Sequence, residues 1–267
     1  MSADRLTVLV VGASGSIGSL VVAEALKQGH SVRALVRNQT RARMLPREAE
    51  IAVGDLTQPE SLKPAIAGMD AIVFTHGSDG EGKCGAETID YGGVRNILNA
   101  LGAARPRIAL MTAIGVTNRD GAYNRSTEAH DWKRRSERLV RAGGFPYTIV
   151  RPGWFDYNKS DENQLIFLQG DTRQAGNSSD GVIARSQIAQ VLVSSLTSQP
   201  ALGKTFELVA EKGPAQEDLD PIFAALDADL PGAVDGVRDM PNQPLDKEPQ
   251  RVLEDLRKLA AGAVDGN

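Results

Sequence analysis

Gly12-Ala13-Ser14-Gly15-Ser16-Ile17-Gly18 is the stretch of this 267-residue chain that decides its fold. A G-x-x-G-x-x-G spacing alone says little, because glycine turns are common; its flanks make it specific. Leu6, Thr7, Val8, Leu9, Val10 and Val11 precede it as a short apolar run rich in β-branched residues, the pattern of a parallel strand covered on both faces. Ile17, Leu20, Val21 and Ala25 follow on one helical stripe, Gly29-His30 closes the helix, and Val32 to Val36 reads as a second strand. A βαβ unit of about 30 residues therefore encloses the loop. In such a unit Gly12 permits the tight turn, Gly15 lets a pyrophosphate approach the backbone, and Gly18 lets helix and strand pack closely. The helix N-terminus then offers free N–H groups and positive dipole to phosphate. Ser14, Ser16 and Ile17 complete the expected cofactor-binding loop. The alternative is a glycine turn without a ligand.

Working outward, strands are predicted near Ile51 to Val53, at Ala71 to Thr75, Arg107 to Thr112 and Tyr147 to Arg151. Helices are predicted near Pro59 to Ala67, through Val94, Ile97, Leu98 and Leu101, and over Thr127 to Ala142, the last polar and amphipathic. This alternation predicts an α/β fold, a Rossmann-like doubly wound parallel sheet. Beyond Pro152 the pattern loosens into Trp154 to Ser179, a polar segment too long for a simple connection and expected to cap the substrate side. A helix from Gln187 to Leu196, a strand from Thr205 to Val209 and a helix around Leu219 to Leu226 return to the core. From Asp227 to Pro249, Pro231, Pro241, Pro244 and Pro249 recur among Asp and Gly, which predicts a peripheral tail of doubtful order before a helix at Arg251 to Ala260. Residues 1–267 are expected to be one domain, with 154–180 and 210–267 as substrate-side and peripheral elaborations.

Lys and Arg total 30 against 34 Asp and Glu, a net charge of -4, so no global positive field exists to hold nucleic acid or an anionic membrane. Any phosphate site must be local. The single cysteine, Cys84, excludes an internal disulfide and a cysteine-based zinc site, and three histidines leave little for a metal centre. No apolar run approaches the roughly 20 residues of a membrane span, and Met1-Ser2-Ala3-Asp4-Arg5 lacks a signal-peptide pattern; a cytoplasmic location is expected.

Cofactor choice turns on the end of the second strand, where an NAD-type site carries an acid for the ribose 2′-OH. Here Leu35-Val36-Arg37-Asn38-Gln39-Thr40 carries none, and Arg37 falls where a guanidinium pairs bidentately with a 2′-phosphate, which favours NADP. Arg33, Arg41 and Arg43 lie nearby, and a solvated surface arginine is the other reading of Arg37. Asp55 is either an acceptor for the adenine amino group or a helix cap ahead of Pro59.

These pieces, with Gly54-Asp55-Leu56, Tyr91-Gly92-Gly93-Val94-Arg95-Asn96, Thr148-Ile149-Val150-Arg151-Pro152-Gly153 and Arg185-Ser186-Gln187-Ile188-Ala189, resemble the atypical short-chain dehydrogenase/reductase superfamily, in particular its NmrA-like, NAD(P)-binding branch. The resemblance implies a Rossmann fold, NADP in an extended pose, and a substrate cleft formed by the C-terminal part of the chain. It counts Asp55 and Leu56 among the cofactor's neighbours, sets Thr75, His76 and Gly77 beside the ribose, and runs Arg151, Pro152 and Gly153 beside the nicotinamide. The superfamily's dehydrogenases carry a Tyr four residues before a Lys, so that Lys grips the ribose and lowers the Tyr pKa. Lys133 matches that lysine, Ala129 replaces the tyrosine, and Thr112 matches the residue that orients substrate.

His130, three residues before Lys133, shares its helical face and is a substitute acid, the alternative being a partly exposed helix residue. Tyr123 and Tyr157 are further donors by position. Trp154, Phe155 and Tyr157 either line a substrate pocket or pack under the long loop, and Cys84 beside Lys83 is either a sensitised thiolate or a bystander. The function expected is an NADP-dependent oxidoreductase acting on a small carbonyl, enone or quinone-like acceptor. The rival is a non-catalytic NADPH/NADP sensor with a regulatory protein partner. A sugar-nucleotide epimerase comes third, because such epimerases keep the tyrosine.

Overall fold

The computed structural model describes residues 5–78 and 80–264. The first half alternates as expected: β1 (Thr7–Val11), α1 (Gly18–Lys27), β2 (Ser31–Val36), β3 (Glu50–Val53), α2 (Pro59–Ile66) and β4 (Ala71–Phe74). One continuous helical segment follows, α3 (Gly82–Gly85), a π-helical turn (Ala86–Tyr91) and α4 (Gly92–Ala100), and leads to β5 (Arg107–Met111). The polar helix predicted over Thr127 to Ala142 is α6 (Ala129–Ala142), and an unpredicted short helix, α5 (Ala122–Thr127), precedes it across Glu128, whose φ is +56°. Then come β6 (Tyr147–Pro152), β7 (Trp154–Phe155), β8 (Gln164–Leu168), β9 (Val182–Ile183), α7 (Arg185–Ser194), β10 (Lys204–Glu211), α8 (Asp220–Ala224) and α9 (Gln250–Val264).

The strands form one sheet in the order β3-β2-β1-β4-β5-β6-β10-β9-β7, parallel from β3 to β10. Alternate residues of β1 serve opposite faces, as strand periodicity demands. Val8 and Val10 pack with Val21, Val22 and Ala25 of α1 and Ile188 and Leu192 of α7. Leu9 and Val11 pack with Leu62, Ile66, Val94, Ile97, Leu139, Val252 and Leu256, drawn from α2, α4, α6 and α9.

Two expectations are corrected. The segment from Trp154 to Ser179 is not simply a polar cap: β8 within it pairs antiparallel with β10, Leu165 against Ala210 and Phe167 against Leu208, and Phe167 stacks on Phe206 at 4.3 Å. Its partner lies some 40 residues later, beyond the reach of local periodicity.

The stretch from Asp227 to Pro249 is not peripheral either. It straps the face of α6, whose Arg134, Arg135, Arg138 and Arg141 are all buried. Asp235 accepts from Arg134 and Arg138 at 3.1 and 2.8 Å, Glu248 from Arg135 and Arg138 at 2.5 and 3.0 Å, and Asp229 from Arg141 at 3.0 Å. Arg151 of β6, at the centre, is bound by Glu137, Glu207 and Asp239. The helix looks polar because its partners are acids supplied from about 100 residues away rather than water.

Candidate dinucleotide site

In an open α/β sheet the ligand crevice lies where the winding reverses, outside the carboxyl ends of the strands. Here that point is between β1 and β4, and the glycine loop leaves β1 at its mouth. Gly12 holds φ +84°, and a Cβ on it would stand 2.8 Å from the backbone nitrogen of His76. A Cβ on Gly18 would overlap the carbonyl oxygen of Gly12, so helix and loop touch backbone to backbone. The Gly15 N–H closes the turn on the Gly12 carbonyl at 2.9 Å. Ser14, Gly15 and Ser16 are exposed, and the N–H groups of Ser14, Ser16 and Ile17 donate to no backbone carbonyl among the described residues. A glycine loop with unused N–H groups at a helix start fits a diphosphate.

On β2, Arg33 is taken: it donates to the carbonyls of Ala65 and Ala67 and pairs with Glu50 at 2.9 Å. Arg37, just beyond β2, is exposed. Asn38 caps the short 3-10 turn Gln39–Met44 by accepting from the Arg41 N–H, which turns the chain after Arg37 away from the strand. Asp55 accepts from the Thr57 N–H and hydroxyl, each at 2.8 Å, so one carboxylate oxygen serves as a turn cap before α2. Leu56 lies beside His76 over Gly93, where a Cβ would come within 3.0 Å of both side chains, and Asn96 holds the Leu56 carbonyl at 2.7 Å. This explains the Gly93 and Asn96 positions of the sequence motif.

Behind the loop, the buried Thr75 hydroxyl donates to the Val11 carbonyl at 2.9 Å, tying β4 to β1. His76 Nε2 lies 3.1 Å from the Ile89 carbonyl, and burial pushes the imidazole pKa down to about 4. Gly77 is exposed, and Ser78 donates through its N–H and its hydroxyl to Asp90, at 3.1 and 2.8 Å. Lys133, from α6, reaches the same carboxylate at 3.0 Å. Sequence reading missed Asp90 and Ser78. The sequence carries no clear signal for them, since Glu87 and Asp90 stand together in the polar stretch ahead of Gly92-Gly93.

At the start of α6, Ala129 is buried. His130 stacks obliquely on Tyr123 at 5.1 Å and lies against Gly115, and burial lowers its pKa from the ordinary 6.5. The Thr112 hydroxyl donates to Glu137 at 2.7 Å, which directs its proton into the arginine network. Pro152 ends β6, its carbonyl accepting from Ile114 at 3.0 Å, and a Cβ on Gly153 would meet the Gly181 carbonyl oxygen at 2.5 Å. Trp154, Phe155 and Tyr157 are not packed under the long segment: they are 37%, 39% and 67% exposed, with Arg185 over the Phe155 ring at 4.9 Å. The structure thus brings the loop, Leu56, Thr75 and His76 together and links Lys133 to the end of β4. Arg37 and the aromatic residues lie on opposite sides of that cluster along the sheet.

Residues 12–199 match the NAD(P)H-binding family, from the first glycine of the loop through α7. The chain belongs to that family. Among its relatives, sanguinarine reductase of Eschscholzia californica is 27% identical over 266 residues, covering 84% of this chain and 97% of that protein. The uncharacterized sugar epimerase YhfK of Bacillus subtilis is 28% identical over 221 residues, covering 80% of this chain and 99% of that one. A candidate NAD-dependent epimerase/dehydratase from Bacillus halodurans, of solved structure, superposes with a TM-score of 0.68 at 23% identity, over 83% of this chain and all of that one. The Rossmann-like fold read from the motifs is the fold of this NAD(P)H-binding chain. Among its described residues, no helix is long and apolar enough to cross a membrane.

Proposed function

We propose that the chain is an NADPH-dependent oxidoreductase that reduces a small carbonyl, enone or quinone-like acceptor. Arg37 carries this reading: it stands exposed at the end of β2, where the segment Leu35 to Thr40 has no acid to hold a ribose 2′-OH, while its neighbour Arg33 is bound elsewhere. Its guanidinium meets a 2′-phosphate with two parallel hydrogen bonds. The relative named as a reductase supports reduction as the chemistry. Bound NADPH supplies a hydride. The loop from Gly12 to Gly18 holds the diphosphate, Asp55 and Leu56 flank the adenine side, Thr75, His76, Gly77 and Lys133 frame the ribose, and Pro152 and Gly153 border the nicotinamide. Trp154, Phe155 and Tyr157 offer flat apolar faces to the acceptor.

His130 is the proton donor in this reading. Burial lowers its pKa and leaves little of the protonated ring at neutral pH, so an acceptor that needs less help from a positioned acid, such as a quinone, suits the site better than a simple ketone. A second reading, a non-catalytic NADPH/NADP sensor with a protein partner, is favoured by Ala129 in place of a tyrosine and by the Thr112 proton directed at Glu137. A cytoplasmic location fits either, given one exposed thiol at Cys84.

Fluorescence titration with NADPH and NADH tests the cofactor. A preference for NADPH of roughly ten- to a hundredfold is expected, lost in Arg37→Ala. Equal affinities, or a preference that survives the substitution, remove the argument for NADP. NADPH oxidation with a panel of quinones and activated carbonyls separates enzyme from sensor, since binding without any turnover leaves the sensor.

A further inference from the structure

The helical segment from Gly82 to Ala100 is α-helical at both ends and π-helical over Ala86–Tyr91. Such turns are rare and concentrate at functional sites. Two consecutive residues of this one grip both elements that flank the ribose in the reading above. The Ile89 carbonyl lies 3.1 Å from His76 Nε2, at the end of β4. The Asp90 carboxylate, with 2% of its side chain exposed, accepts from Ser78 of the same loop and from Lys133 of α6. Ser136, one turn on from Lys133, donates its hydroxyl to the Asp90 carbonyl at 2.8 Å, which ties the π turn to α6 a second time.

We propose that this π turn is the positioning element for the ribose on the nicotinamide side of the dinucleotide, with Asp90 fixing Lys133 as a donor and the Ile89 carbonyl fixing His76 with a bare Nδ1 as an acceptor. The inference rests on the dinucleotide reading of the site. A carbonyl only accepts, so the proton of a neutral His76 sits on Nε2, and Nδ1 keeps its lone pair. Nδ1 is buried and has no partner among the described residues. Lys133 carries three N–H donors, of which Asp90 takes one, and its side chain keeps 19% of its exposure. A vicinal diol both donates and accepts, so an acceptor and a donor held by adjacent residues of one turn match it. Gly93 belongs to the same device: a Cβ there would stand 3.0 Å from His76 Nε2 and push the ring off Ile89.

The test compares NADPH with 2′,5′-ADP, which carries the adenosine end and lacks the second ribose. In His76→Gln the amide nitrogen replaces Nε2 and keeps the bond to Ile89, while the Nδ1 acceptor is lost. NADPH is expected to bind about tenfold more weakly, one hydrogen bond's worth, and 2′,5′-ADP to bind within about twofold of the wild type. Asp90→Ala should show the same split. In wild-type protein labelled with nitrogen-15 at histidine, the His76 Nδ1 resonance should move on addition of NADPH and stay in place with 2′,5′-ADP. Equal weakening of both ligands in His76→Gln would assign the turn a structural role only, and unchanged NADPH affinity would remove the acceptor; either overturns the proposal while leaving the cofactor reading intact. Wild-type protein that binds neither ligand overturns the cofactor reading itself. Should Asp90→Ala fail to fold, His76→Gln and the nitrogen-15 titration decide the point.

Discussion

Asp239→Ala should be among the most damaging substitutions in the chain, although Asp239 lies in a proline-rich stretch that reads as a tail. Its carboxylate meets both terminal nitrogens of Arg151 at 2.7 Å, with 1% of each side chain exposed. Removing one partner of a buried pair strands the other charge, which costs about 3–5 kcal/mol. Two features put this case at the lower end. Arg151 keeps Glu137 at 3.0 and 2.7 Å, and Glu207, whose pKa burial raises to about 7, ionises more fully once the competing acid is gone. A loss of about 3 kcal/mol follows, a large share of the roughly 5–15 kcal/mol that holds a domain together, and on the order of 6–12 °C in melting temperature. Urea unfolding followed by circular dichroism measures it, with Asp227→Ala as control: that acid lies in the same strap, but its pair with Arg238 is solvent-exposed, 61% and 53%, and is expected to contribute under about 0.5 kcal/mol. The Arg151 guanidinium also holds Asp239 below its ordinary pKa, against the pull of burial, so its contribution is present above about pH 4 and is lost as pH falls further. Wild type and Asp239→Ala should converge in acid. Equal, small costs for the two substitutions would refute the view that the strap is held by desolvated charge.

Gly15→Val in the exposed loop should leave the protein folded and abolish binding of either dinucleotide by standing where the diphosphate approaches; retained binding in a titration would show that the loop had been misread. Glu207 titrates the other way from Asp239: its folded pKa, about 7, lies above the ordinary 4.5, so the native state binds the extra proton and the stability it supports declines as pH rises across that window. Glu207→Gln should remove that decline, and thermal melts of the two proteins that stay parallel from pH 5 to 8 would count against it. His130→Ala is expected to lower turnover of an activated carbonyl by about 10² with little change in NADPH affinity, and to lower that of a quinone less; an unchanged carbonyl rate would strike His130 as the donor.

The parts of the site built from contiguous residues were legible in the sequence, because their physics is local. The loop from Gly12 to Gly18 needs glycine where φ is +84° and where Gly18 meets the Gly12 carbonyl, and those constraints show as spacing. Strands β1, β4, β5 and β6 announced themselves as apolar runs buried on both faces, which is how the centre of a parallel sheet covered by helices must read. Arg37 is visible as the residue after β2. Only the tertiary structure decided what α6 is. Four of its arginines look solvated in a periodicity analysis, yet they are buried because Asp229, Asp235 and Glu248 arrive from a segment rich in proline, glycine and acid. Composition records that those acids are polar and says nothing about whether water or a guanidinium satisfies them. The same holds at the site: the π turn that aims Ile89 at His76 and Asp90 at Lys133 joins residues 13 and 43 positions apart. A side chain's partner across such a gap is fixed by how β4, α4 and α6 pack, since the free energy of a buried charge depends on what it faces and not on its neighbours along the chain.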